Sequence, residues 1–166
     1  AENTDLPMIR RELASLRLSA YNEGWAQYAA NLAVEMGALK NDYELYGLVA
    51  TDAMMAARLV VDTGVNALGW NFDRAKGYLV DHTLMSPQQA SAEVLRYATD
   101  VPGQALGYKL GHERILALRR QAEAVLADDF DRRAFHDAVL APGALPLDVL
   151  DSHIERWIAL QHRSQR

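Results

Sequence analysis

The stretch Tyr21-Asn22-Glu23-Gly24-Trp25-Ala26-Gln27-Tyr28 decides the fold. Tyr21, Trp25, Tyr28 and Leu32 recur at steps of four, three and four, which lays one apolar stripe along an α-helix. Glu23 stands two residues beyond Tyr21, about 160° around such a helix, so it is turned away from that stripe. It must face either water or a second, more polar environment, and that choice decides whether the segment belongs to an active site.

Working outward, every neighbouring segment reads as a helix. Asp5 ahead of Leu6-Pro7 suits a cap with Pro in the first turn, and a helical pattern continues to Met36, whole or broken near Ser19. Gly37 ends it. Asn41 or Asp42 caps a long Ala- and Met-rich helix to about Leu68, closed by Gly69. Asn71 caps a shorter helix through about Asp81. Ser86-Pro87-Gln88-Gln89 has the capping-box pattern and opens a helix to about Ala98. Val101-Pro102-Gly103 breaks the chain before a long helix carrying Leu106, Leu110, Ile115, Leu118, Ala122 and Val125. Asp131 caps a short helix through Leu140. After Ala141-Pro142-Gly143, Pro146 starts the last helix, with Val149, Leu150, Ile154, Trp157 and Ile158 on its apolar side. No period-2 strand, repeat or low-complexity tract interrupts this. The expected fold is all-α, an array of six to eight helices in one domain over residues 1–166.

Composition bounds the function. Half of the 166 residues are apolar, 23% are charged, and no run approaches the roughly 18 apolar residues of a membrane span. A net charge of −5 and a pI near 5.5 disfavour a nucleic-acid surface. The basic pairs Arg10-Arg11, Arg119-Arg120 and Arg132-Arg133 read as solvated helix faces. With no Cys there is neither a disulfide framework nor a thiolate metal site. None of His82, His112, His136, His153 and His162 lies four residues from another, and no Glu is followed three residues later by His. Both the zinc-protease helix pair and the di-iron bundle signature are therefore missing. Each His, taken singly, reads as a surface or capping residue, and His153 shares a helix face with Trp157. No Gly-x-Ser-x-Gly elbow occurs. Gly103 and Gly107 could hold an anion at a helix start, but close helix packing explains them as well.

Two polar features stand out. Arg58, Asp62 and Asn66 recur at every fourth residue beside Leu59, Val60, Val61 and Val65. They form either a solvated face, where an exposed pair adds only about 0.3–0.5 kcal/mol, or a buried ion pair. In Pro102-Gly103-Gln104-Ala105-Leu106-Gly107-Tyr108-Lys109-Leu110-Gly111, Gln104 and Tyr108 lie one turn apart, so amide and phenol can share one space.

These stretches carry a resemblance. Glu23-Gly24-Trp25-Ala26-Gln27-Tyr28-Ala29, Arg58-Leu59-Val60-Val61-Asp62-Thr63-Gly64, Gly69-Trp70, the Pro102–Gly111 run, Phe130-Asp131 and Phe135-His136-Asp137 follow in that order. In that order the chain is similar, over nearly its whole length, to the C-terminal part of the bacterial domain-of-unknown-function family 885, zinc-metallopeptidase-like proteins of the gluzincin type. The resemblance implies a parent several hundred residues long, carrying a His-Glu-x-x-Pro-Gly-His-His segment shortly before the Glu23 run. Glu23 would be the acidic zinc ligand and Tyr108 the oxyanion donor, with Arg58, Asp62, Asn66 and Gln104 at the substrate. Zinc would belong to the parent protein, and none is expected in this chain alone. The His-rich segment is absent here, and Asn66 stands where the family usually has His. The expected role is thus a helical fragment of a peptidase, inactive alone, with a peptide as the parent's substrate. Its partner would be the missing N-terminal part or a second copy, in a periplasmic or secreted setting, the cytoplasm being the other option. The alternative is a non-catalytic helical binding or scaffold module.

Overall fold

The computed structural model describes Met8 and residues 18–164; the cap expected at Asp5 and the Arg10-Arg11 pair lie outside them. Among the described residues the chain forms seven α-helices and no strand, as its periodicity predicts. They are α1 (Ser19–Glu35), α2 (Asp42–Ala67), α3 (Phe72–His82), α4 (Pro87–Leu95), α5 (Gln104–Leu126), α6 (Arg132–Leu140) and α7 (Leu147–Ser164). Leu18 is non-helical, so α1 begins at the break expected near Ser19.

The helix ends follow their sequence signals. Gly37 sits at φ 64°, with its own N–H on the Val34 carbonyl and that of Ala38 on Ala33, a Schellman stop. Asn41, Asn71, Ser86 and Asp131 each accept from a backbone N–H of the first turn, Ser86 in a full capping box with Gln89. One end departs from expectation. Beyond Leu95 the chain widens into a π-helical turn, Arg96–Asp100, in which the Val101 N–H reaches back to the Arg96 carbonyl at 3.0 Å.

Two cores form. Tyr21 and Tyr28 of α1 join Ile115, Leu118, Phe135, Val139, Leu150, Ile154 and Ile158 in the first, with Trp25 and Leu32 packed against it. The stripe read from the sequence is therefore the buried face of α1. The second core gathers Ala57, Val61, Ala75, Leu79, Ala90, Val94, Tyr97 and Ala105 from α2, α3, α4, the π turn and the start of α5.

The most extensive helix contact is between α1 and α5. They run in the same direction, since Ser19 meets Gln104 at one end and Glu35 meets Arg119 at the other. Their backbones touch. A Cβ on Gly107 would lie 2.6 Å from Ser19 Oγ, one on Gly111 would strike the Ala20 carbonyl oxygen, and one on Gly24 would strike the Gly111 Cα. Gly107 and Gly111, four apart, thus form a side-chain-free strip that receives Ala20 and Gly24. Close packing, not anion binding, accounts for Gly107. Arg119 then fastens the far end through two 2.8 Å bonds to Glu35 and one to Glu123.

Gly111→Ala should therefore destabilise the chain by about 2–3 kcal/mol, because overpacking outweighs the helix-propensity gain of at most ~1 kcal/mol. Gly77 of α3 has nothing within 4 Å of a built Cβ. Gly77→Ala should accordingly be neutral or stabilising by up to ~1 kcal/mol. Urea unfolding of both variants checks this, and a Gly111→Ala midpoint at or above wild type would contradict the seam.

Candidate functional site

The cleft lies where the N-terminal turn of α1 faces the π turn and the start of α5. It encloses about 620 Å³, within the usual range for ligand pockets, and Ser19, Asn22, Glu23, Arg96, Asp100, Val101, Pro102 and Gln104 line it. Glu23 is half-buried and has no hydrogen bond or ion pair to any described residue. Of the two environments open to it, it faces the polar one. Gln104 joins it in the same cleft, with its Oε1 shielded from solvent and lacking a donor.

Arg58, Asp62, Asn66 and Tyr108, also singled out by the sequence, do not line this cleft. Arg58 and Asp62 are 5% and 1% exposed, so the solvated-face reading fails, and they do not pair with each other. The Arg58 Nε–H donates to the Tyr97 hydroxyl at 2.9 Å and lies 3.6 Å from Glu93 Oε2. Tyr97 in turn donates to Glu93 at 2.5 Å. The Arg58 guanidinium also lies 4.8 Å from the centre of the Tyr108 ring, a cation–π contact, while its Nη2 has no partner. Burial drives the Tyr97 phenol pKa well up, and the Glu93 hydrogen bond adds to the shift. It stays a neutral donor between carboxylate and guanidinium. Tyr108 is half-buried, and its hydroxyl bonds to no described residue.

The carboxylate of Asp62 accepts the Gly103 N–H at 3.0 and 3.1 Å and one amide hydrogen of Asn66 at 2.8 Å. Gly103 holds φ 82°, a left-handed value that favours glycine, at the N-cap of α5. A buried carboxylate is tolerated there because the helix start supplies both a donor and positive dipole. Asn66 also reaches the Tyr97 carbonyl at 3.2 Å, tying the π turn to α2. The Asn66 amide donors are thus turned inward. Asp62 and Asn66 reach the cleft only through the Pro102-Gly103 wall they hold.

Sequence reasoning missed three residues and misplaced Arg119, which is buried against Glu35 rather than on a solvated helix face. Arg96 is the one cation among the cleft-lining residues. His112 is buried, its Nε2 accepting from Asn31 at 3.0 Å, while its Nδ1 has no hydrogen-bond partner. His136 meets the Tyr28 hydroxyl at 2.8 Å and stands edge-on to Trp25. Neither His112 nor His136 is the surface residue their spacing suggests. A histidine's burial depends on which helix face it occupies, and α5 and α6 are too mixed in composition to reveal that. His153 does act structurally, donating to the Ala138 carbonyl at 3.0 Å.

A zinc ion in a catalytic site takes about three protein ligands. Among the described residues no three His, Cys, Asp or Glu side chains converge. The Glu23 carboxylate, unengaged by any described residue at an open cleft, fits a single oxygen ligand. No helix of the described residues is long and apolar enough to cross a membrane.

The fold and site define a helical module whose polar cleft lies at the N-terminal ends of two tightly packed parallel helices, against the π turn. Residues 1–154 match the model of the family described as bacterial protein of unknown function (DUF885), and the chain belongs to that family. It is also similar to a solved structure from Colwellia psychrerythraea described as a candidate lipoprotein, at 41% identity and a TM-score of 0.85. That match covers 92% of this chain and 26% of the other, so the chain spans about a quarter of its structural neighbour's length. No curated protein matches it.

Burial lowers the pKa of both histidines, helped by Lys109 beside His112 and by Arg119 and Arg132 beside His136. Their folded values lie below the unfolded value of about 6.5, so the unfolded state binds more protons just beneath it. Stability should be fully present above pH ~6.5 and fall as the pH drops toward the folded values. NMR titration of the two rings together with urea unfolding at pH 7.5 and 5.5 checks this. A midpoint above 6.5 for either ring, or equal stability at both pH values, would contradict it.

Proposed function

We propose that this chain is the C-terminal helical portion of a zinc-dependent peptidase, contributing the acidic zinc ligand Glu23 and the oxyanion donor Tyr108. The observation that carries this reading is Glu23 itself, a carboxylate without a partner among the described residues at the edge of a ligand-sized cleft. Bound zinc would polarise the scissile carbonyl and lower the pKa of its water toward about 7. The chain's own residues would do the rest. Glu23 would hold the metal from α1, and Gln104 would meet the peptide. The unengaged Tyr108 phenol would donate to the developing oxyanion, its ring steadied by the Arg58 guanidinium 4.8 Å away. Asp62 and Asn66 would act indirectly, by fixing Gly103 and the π turn.

The zinc-binding histidines and general base would come from the part of the protein outside this chain. Two observations support such a partner. The structural neighbour is almost four times longer than the stretch it shares with this chain. In addition, the N-terminal half of α2 leaves Tyr43 88% exposed, with Leu45, Tyr46 and Val49 also open, a stripe suited to covering by another body. A second copy of the chain could fill the same role. The description of the neighbour as a candidate lipoprotein favours a periplasmic or secreted setting. The inward bonding of Asp62 and Asn66 favours a second reading, a helical binding or scaffold module without catalysis.

The protein in its full reading frame tests the proposal. It should hold one zinc and hydrolyse peptides. Glu23→Gln should lose most of the zinc, and Tyr108→Phe should lower kcat about a hundredfold or more with zinc retained. Full metal content in Glu23→Gln would remove Glu23 from the metal, and a zinc-free, inert wild type would leave the scaffold reading standing.

A further inference from the structure

We propose that Arg96 is the carboxylate-binding residue of the cleft, and that the ligand it selects is a peptide presenting a carboxylate from its free C-terminus or an acidic side chain. This rests on reading the cleft as a peptide site but not on zinc or hydrolysis.

The charge arrangement carries it. Glu93 lies between two guanidiniums, its Oε2 3.6 Å from Arg58 and its Oε1 3.4 Å from Arg96. One carboxylate shared by two arginines leaves each guanidinium incompletely engaged. Because Arg58 is buried and Arg96 is 42% exposed, it is the Arg96 guanidinium that stays open to the cleft. The contact between Arg96 and Glu93 is a single long one, and Arg96 makes no other ion pair among the described residues. Most of its five N–H donors are therefore free, and a planar fork of that kind matches a carboxylate through two parallel bonds. Its backbone is held as well. The π turn places Arg96 at one end and Asp100 at the other on the same cleft, and the bond from Asn66 to the Tyr97 carbonyl anchors that turn to α2.

The rest of the lining chooses the ligand class. Glu23 and Asp100 share the cleft with Arg96, so a bare inorganic anion meets two like charges. A peptide differs, because it brings N–H donors for the two acids and for Asn22 and Ser19 along with a carboxylate for Arg96.

The test is direct binding to the protein in its full reading frame, held in chelator so that no probe is cleaved, followed by NMR of the arginine Nε–H groups. Three N-acetylated probes are compared: tetra-alanine with a free C-terminus, the same peptide amidated, and an amidated peptide with Glu at its third position. At least one acid-bearing probe should shift the Arg96 Nε–H signal and bind about tenfold or more tightly than the amidated tetra-alanine. Whichever acid-bearing probe does so identifies the source of the carboxylate. Arg96→Gln should abolish the discrimination, Arg96→Lys should keep part of it, and both should leave the circular dichroism of the fold unchanged. Equal affinity for all three probes, discrimination that survives Arg96→Gln, or no binding of any probe would overturn the assignment. Zinc content is measured separately, so loss of the metal reading and loss of this one are distinguishable.

Discussion

The contact on which everything else depends is the one without side chains, where Gly107 and Gly111 of α5 meet Ala20 and Gly24 of α1. Helix axes normally keep 8–10 Å apart because side chains interdigitate between them. Here the missing Cβ atoms let the backbones touch, and each residue beside a glycine inherits a defined place. Glu23, one residue before Gly24, is lifted off the seam to the cleft edge. Tyr108, one residue after Gly107, is carried around to Arg58. His112, following Gly111, is pressed into the interface with Asn31. A wider separation would open the cleft floor and misplace all three together.

A second constraint sets the opposite wall. Asp62 fixes Gly103 from the side of α2, and Asn66 fixes the Tyr97 carbonyl one turn further on. These two residues stand at every fourth position of one helix, yet they hold two different segments, the start of α5 and the π turn. The cleft is therefore bounded by α1 through the glycine seam and by α2 through hydrogen bonds. Its geometry depends on both helices keeping their relation to α5.

Much of this was legible in the sequence. The apolar stripe of α1, the caps at Asn71, Ser86 and Asp131, and the glycine stops are local signals, and local chemistry decides them. The direction of Glu23 followed from helical spacing alone. What local spacing hid was pairing across helices. Arg58 and Asp62, four apart, look like partners, but each finds a better one from another helix, Tyr97 and Gly103. The π turn escaped as well, since its extra residue is stabilised by Asn66 some thirty positions away. No local signal marks Arg96, because its place on the cleft comes from that turn.

The buried polar group around Arg58 bears on whether packing alone explains these motifs. Removing a guanidinium from water costs several kcal/mol even after relaxation, and buried ion pairs are often matched or bettered by apolar residues of similar volume. Here the compensation is incomplete. Arg58 gains one bond to a phenol, a contact of its Nη1 with the Met55 sulfur, cation–π contacts with the Tyr97 and Tyr108 rings and a long approach to Glu93, while its Nη2 remains unpartnered at a cost of about 1–3 kcal/mol. An apolar residue at position 58, between the buried Ala57 and Val61 of the same helix, would avoid that cost. Arg58 is therefore a costly way to fill that position, and what it supplies that Leu or Met cannot is a positive charge for Glu93.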